Sequence, residues 1–177
     1  MLELARKLAD NDEKFFGGWI LAGAEVKISG RAASLVNKTL LSKAHKAMLE
    51  VDGLDEHGAL VKSLRVFLVL PQRSSPQAVP KEEEITGELI ASHTFTAGDV
   101  ANYVAYTGDR NIIHTGERPI VPGLCLLAWL ERALALGTLA WRISFLSPVY
   151  AGDEVKVYAS GGKFSAYVRK TRVFANK

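Results

Sequence analysis

The sequence predicts an α+β fold in which an antiparallel sheet is wrapped around one long central helix. Residues 124–137 (LCLLAWLERALALG) are apolar nearly all round, with Glu131 and Arg132 as the main charges. A helix of that character belongs in an interior. Short β-branched runs punctuated by glycine turns lie on both sides of it, as in an antiparallel sheet. Few strands follow the helix, so strands from the N-terminal half, or from a second copy, are needed to cover it.

Taken in order, residues 2–9 set Leu2, Leu4 and Leu8 among charges at loosely helical spacing, and Asp10-Asn11-Asp12 ends that short helix. Gly17–Ser29 is strand-like, as is Lys43–Val51. A turn-rich break over Gly53–Gly58 leads into Ala59–Leu70 (ALVKSLRVFLVL), so Lys43–Leu70 is expected as a long antiparallel hairpin. Pro71–Glu84 (PQRSSPQAVPKEEE) reads as a linker, because its prolines remove backbone donors and its polar residues cannot build a core. The expected division is therefore a strand-supplying segment over 1–70, a linker over 71–84 and a second unit over 85–177.

After the linker, Thr86–Phe95 is expected as a strand, and Thr96 caps a helix with Asp99 in its first turn. Gly108 closes that helix. Pro122-Gly123 introduces the apolar helix and Gly137 is placed to end it. Leu139–Phe145, Asp153–Ser160 and Phe164–Phe174 follow as strands, with turns at Gly152-Asp153 and Gly161-Gly162.

The composition is that of an ordinary globular protein: 177 residues, 48% hydrophobic and 23% charged, with a formal net charge of +3. Lys and Arg are scattered among Asp and Glu without interleaved aromatics, which argues against nucleic acid as a partner. No apolar run approaches the roughly 20 residues of a membrane helix, and MLELARKLADNDEK is not a secretory signal. The single cysteine, Cys125, fits a reducing compartment and reads as a small core hydrophobe, so a cytoplasmic protein is expected. His45, His57 and His93 have no metal-ligand spacing, so no metal is expected. Trp129 and Trp141 read as packing residues, with a border to a ligand tunnel as the alternative.

The chemistry is concentrated in YVAYTGDRNIIHTGERPIVPGLCLLAWLE, residues 103–131. If Asp109 and His114 met in space, the carboxylate could orient a water and the imidazole could exchange a proton near neutral pH. That equipment suits adding water to, or removing it from, a double bond beside a carbonyl. The developing enolate oxygen needs a donor, and the backbone N–H at Gly123, opening a helix, is suited to that role. Taken alone, Asp and Asn near a turn are most often there for turn chemistry, and a loop histidine is usually incidental.

YTGDRNIIH resembles the signature of the MaoC-like, R-specific enoyl-CoA hydratases: aromatic, Ser/Thr/Gly, Gly-Asp, any residue, Asn, Pro, aliphatic, His. ERPIVPGLCLLA resembles the Arg-Pro-Ile-Val-His-Gly-Met approach to their central helix, and FLSPVYAGDEVKV their Pro-Val, Gly-Asp strand pair. The resemblance spans roughly Glu88–Phe174. It implies a hotdog fold, an acyl thioester of coenzyme A or acyl carrier protein as substrate, and no cofactor. It also implies Asp109 and His114 as the catalytic pair, Asn111 as their support, and Gly123 as oxyanion donor. Arg118 could meet a substrate phosphate, or form an ion pair with Glu117 or Asp109. A homodimer or higher homo-oligomer is implied as well.

The sequence departs from that pattern in three places. Ile112 stands for the proline, Pro122 for a frequent histidine, and the stretch from His114 to Arg118 is short. HTGERPIVPG resembles instead the bacterial 3-hydroxyacyl-carrier-protein dehydratases, whose helix glutamate would fall at Ala128, with Glu131 about one turn later. Residues 1–70 carry neither motif and are expected as a degenerate hotdog-like half, making a reduced double hotdog. After Phe174 the strand count falls one short of a usual single-hotdog hydratase. The alternatives are a hotdog acyl-CoA thioesterase and a non-catalytic acyl-binding or assembly subunit.

Overall fold

One antiparallel sheet unites the two halves of the chain. The computed structural model describes residues 1–11, 15, 17–71, 82–135 and 139–176. Among these, the strands are β1 (Ile20–Ile28), β2 (Ser34–Lys43), β3 (Lys46–Leu54), β4 (Leu60–Val69), β5 (Glu88–Thr94), β6 (Leu139–Phe145), β7 (Glu154–Ser160), β8 (Lys163–Val168) and β9 (Thr171–Asn176). Their spatial order is β2-β3-β4-β1-β6-β9-β8-β7-β5. β1 is the seam: it pairs with β4 on one side and with β6 on the other, both antiparallel. The helices are α1 (Leu2–Leu8), α2 (Ala97–Thr107) and α3 (Gly123–Ala133), with a 3₁₀ turn at Ile112–His114.

Strand alternation sorts the side chains onto two faces. Ala24 and Val26 of β1, Leu64 and Val66 of β4, Leu49 and Val51 of β3, and Trp141 and Ile143 of β6 are buried. On the opposite face a row of charges crosses the seam in register, Glu50 beside Arg65, Arg65 beside Glu25, and Glu25 beside Arg142. The ion pairs follow the register at 2.5 Å, 3.5 Å and 2.7 Å. Glu50 is buried, so its pairing with Arg65 also satisfies a charge that water cannot reach freely, and a one-residue slip would turn the whole row into the core, so the row discriminates against wrong pairings.

The core contains a chain of rings: Trp141 to Phe164 at 5.4 Å, Phe164 to Phe174 at 6.5 Å, and Phe174 to Phe145 at 5.9 Å between centroids. Leu124, Leu126, Leu127 and Leu130 of α3 share one cluster with Trp141, Phe164 and Phe174. Burial is continuous from Leu124 to Ala128 and includes Leu130, while Arg132 and Ala133 of the last turn are exposed.

Several sequence expectations are corrected here. β2 was not foreseen; it is one of the two edge strands and mostly exposed, so its residues lack the alternation that reveals a half-buried strand. The strand placed at Lys43–Val51 is β3, and Lys43 ends β2 instead. Phe164–Phe174 is a hairpin, broken where Arg169 takes a left-handed φ of 54°. β9 therefore adds the strand that the count lacked. The central helix is shorter than expected, because Ala135 adopts φ 48° immediately after its last turn. Gly137, Asp12 and linker residues 72–81 lie outside the described residues. The acidic end of the expected linker is paired: Glu82 bridges Thr171, and the Glu83 N–H donates to the Lys170 carbonyl at 3.0 Å.

Candidate active site

Local signals deliver the motif to its place. α2 opens with a capping box, in which the Asp99 N–H donates to Thr96 Oγ1 at 3.1 Å and the Thr96 N–H donates to the Asp99 carboxylate at 2.8 Å. It closes at Gly108, whose φ of 75° glycine adopts without a Cβ penalty, and whose N–H donates to the Val104 carbonyl. The reversal throws Asp109 off the helix end. Asp109 Oδ1 then accepts the Asn111 N–H at 3.0 Å, a turn typical of aspartate.

Asn111 is the pivot of the loop and is itself buried. Its Oδ1 accepts the Gly18 N–H at 3.1 Å and the Ile113 N–H at 3.5 Å, and its Nδ2 donates to the Trp19 carbonyl at 2.7 Å. The opposing demands of two N–H groups and one carbonyl leave the amide a single orientation. The chain entering β1 thus clamps the motif loop from the other half of the sheet.

His114 completes the 3₁₀ turn. Its Nδ1 lies 2.7 Å from the Ile120 carbonyl. A carbonyl can only accept, so Nδ1 carries the hydrogen and Nε2 of the neutral ring keeps its lone pair. Nε2 faces Asp109 Oδ2 at 3.6 Å, beyond direct hydrogen-bond reach. The His114 side chain is 8% exposed and that of Asp109 23%, so solvent still reaches the pair. The short stretch after His114 closes on itself, since the Ile120 N–H returns to the Ile113 carbonyl at 3.0 Å. Pro122 and Gly123 follow directly.

Gly123 is the first residue of α3, and the amides of a helix's first turn have no acceptor within the helix. A Cβ built on Gly123 would lie 2.8 Å from Leu21 Cδ2 and 3.0 Å from the Phe145 ring. Glycine is thus required by close packing.

The remaining candidates fall into other roles. Arg118 pairs with neither Glu117 nor Asp109, the partners expected for it; it reaches Asp153 at 3.0 Å and lies over the Tyr150 ring at 4.8 Å, with a side chain 65% exposed. Glu131 faces the Met1 amino group at 3.2 Å. Cys125 is buried, and burial pushes its thiol up to about 12. Trp129 packs on His93 and Phe95, and Trp141 on Phe164. Among the described residues no group of three or more His, Cys, Asp or Glu could hold a metal. No described helix is long and apolar enough to cross a membrane.

The sequence reading passed over Tyr103. It is buried on α2, and its phenol is pushed well above its usual pKa by burial and then by the Asp109 carboxylate and Cys125. It stays neutral beneath the acid. Its signal was present in the helical spacing of Val100, Tyr103 and Thr107, which form the buried face of α2. Two shallow hollows of about 430 and 230 Å³ are lined by Glu82–Glu84 and by the β7–β9 strands, away from Asp109, Asn111 and His114.

An antiparallel sheet around a buried helix, with an acid, an amide and an imidazole gathered before that helix, defines a hotdog-fold protein. The chain shares the hotdog fold of the MaoC-like dehydratases. It resembles HtdX of Mycobacterium tuberculosis, with a TM-score of 0.66 and 16% identity over 90% of this chain and 76% of that one. A MaoC-like dehydratase from Phytophthora capsici matches with a TM-score of 0.60 and 18% identity over 90% of this chain and 71% of that one. An acyl-ACP thioesterase from Bacteroides thetaiotaomicron matches with a TM-score of 0.53 and 12% identity, covering 89% of this chain and 74% of that one. No family model and no curated protein sequence matches the chain.

Proposed function

We propose that the protein is a hydratase of enoyl thioesters, or in reverse a dehydratase of 3-hydroxyacyl thioesters, carried on coenzyme A or acyl carrier protein. The observation that carries this reading is the opposed pair Asp109 Oδ2 and His114 Nε2 at 3.6 Å, with the tautomer of His114 set by the Ile120 carbonyl.

A water held between the two groups has an acceptor on each side. Its oxygen adds to the β-carbon as its proton passes to Nε2, and the double-bond electrons move onto the thioester oxygen. The imidazolium formed is stabilised by Asp109, and the enolate by the Gly123 N–H and the α3 dipole. Return of a proton to the α-carbon completes the addition. No metal or redox partner enters the balance. Asn111 acts as a positioning residue, holding Asp109 and His114 on one turn. Residues 1–70 serve in this reading as the strand-supplying half of a reduced double hotdog, with homo-oligomers as a further expectation.

Loss of enoyl absorbance with trans-2-enoyl-CoA tests the proposal. Wild type should turn over, with Asp109→Asn and His114→Ala slower by about 10²–10⁴-fold. Turnover no greater than that of Asp109→Asn would sink it. The thioesterase reading is favoured by the structural likeness to an acyl-ACP thioesterase. Thiol release without hydration would select it.

A further inference from the structure

We propose that the acyl group accepted at this site is short, and that Leu21 and Phe145 set the limit. The inference rests on the hydratase reading for where the thioester carbonyl sits, but its length limit comes from the packing around Gly123.

With the carbonyl at the Gly123 N–H and the β-carbon beside Asp109 and His114, the alkyl tail must find apolar surface next to Gly123. That surface is supplied by Leu21 of β1 and Phe145 of β6, which stand 2.8 Å and 3.0 Å from where a Gly123 Cβ would be. Both are themselves partly exposed, so a tail beside Gly123 would lie against them as its floor. Behind Phe145 the space is filled. Its ring meets Phe174 at 5.9 Å, Phe174 meets Phe164 at 6.5 Å, and Phe174 is 0% exposed. Below Gly123, Leu124, Leu126 and Leu127 are 9% exposed or less. A tail of a few carbons can lie on the Leu21–Phe145 floor. A longer one would have to displace packed rings or run out into water, losing the apolar burial that favours it.

The two floor residues come from opposite halves of the chain, Leu21 from β1 and Phe145 from β6, which are paired at the seam. The N-terminal half would therefore take part in substrate selection as well as completing the sheet. Hydrophobic pockets discriminate by roughly tenfold or more per methylene that gains or loses its place.

The test compares crotonyl-CoA with trans-decenoyl-CoA as substrates, and butyryl-CoA with decanoyl-CoA as ligands by calorimetry. Wild type should favour the short thioester by about tenfold or more in kcat/KM and in affinity. Leu21→Ala and Phe145→Ala should each narrow that ratio, chiefly by improving the long thioester. Phe145→Leu, milder in the core, serves if the alanine variant does not fold. Equal or better use of decenoyl-CoA by wild type, with turnover intact, overturns the length limit and leaves the hydratase reading standing. Preferential binding of butyryl-CoA without turnover of either substrate does the reverse. Binding of neither ligand overturns both.

Discussion

Asn111 donates through Nδ2 to the Trp19 carbonyl at 2.7 Å, across 92 residues of sequence. This contact ties the loop bearing Asp109 and His114 to the chain entering the seam strand β1. The Asp109–His114 pair is local in sequence, but its anchorage is not.

Asn111→Ala would strand the Gly18 N–H and the Trp19 carbonyl beside a buried site. Leaving such groups unpaired costs about 1–3 kcal/mol. The expected result is a fall of several degrees in Tm and a lower denaturant midpoint. Because the loop also loses its anchor, enoyl turnover should drop even at temperatures where the variant is fully folded. Unchanged stability would show that the clamp is not formed in solution.

Gly123→Ala introduces a Cβ at 2.8 Å from Leu21 Cδ2 and 3.0 Å from Phe145. Overpacking of this kind costs roughly 1–3 kcal/mol. Leu21→Ala made in the same chain should recover part of that loss, so a double-mutant cycle should report coupling rather than additivity. Additive effects would place the strain elsewhere.

The cap of α2 predicts an acid limb in stability. The Thr96 backbone N–H, then the Thr96 hydroxyl, hold the Asp99 carboxyl below its usual pKa, with His93 at 3.7 Å contributing after them. A carboxyl lowered in the folded state stabilises at pH values above its unfolded pKa. That contribution is lost as pH falls through the folded pKa, in the range below about 3.9. Asp99→Asn should flatten this part of the stability curve, measured by urea unfolding at stepped pH. Thr96→Ala should cost about 1 kcal/mol at neutral pH through loss of the cap.

Cys125 should be inert. Its thiol, pushed up to about 12 and buried on α3, has almost no thiolate at neutral pH. Reaction with a chromogenic disulfide should wait for unfolding and follow the denaturation curve. Cys125→Ala should retain turnover. Rapid labelling of the native protein would contradict this placement.

Features whose causes lie within a few residues were legible in the chain alone. Thr96 and Asp99 spell a capping box, Gly108 supplies the left-handed exit from α2, and Asp109 to His114 lies within one turn-rich segment. The all-round apolarity of the α3 segment announces burial. These are short-range signals because backbone hydrogen bonds and φ preferences act between near neighbours.

Features that depend on distant partners emerged with the fold. Arg118 meets Asp153 of the strand pair further along the chain, and Asn111 meets Gly18 and Trp19, none of which local pattern could reveal. β2 is held at the sheet edge by backbone pairing to β3, without the buried alternation that marks a strand. Arg169 and Ala135 adopt left-handed backbone that their side chains do not favour. At Arg169 the antiparallel pairing of β8 with β9 outweighs that preference.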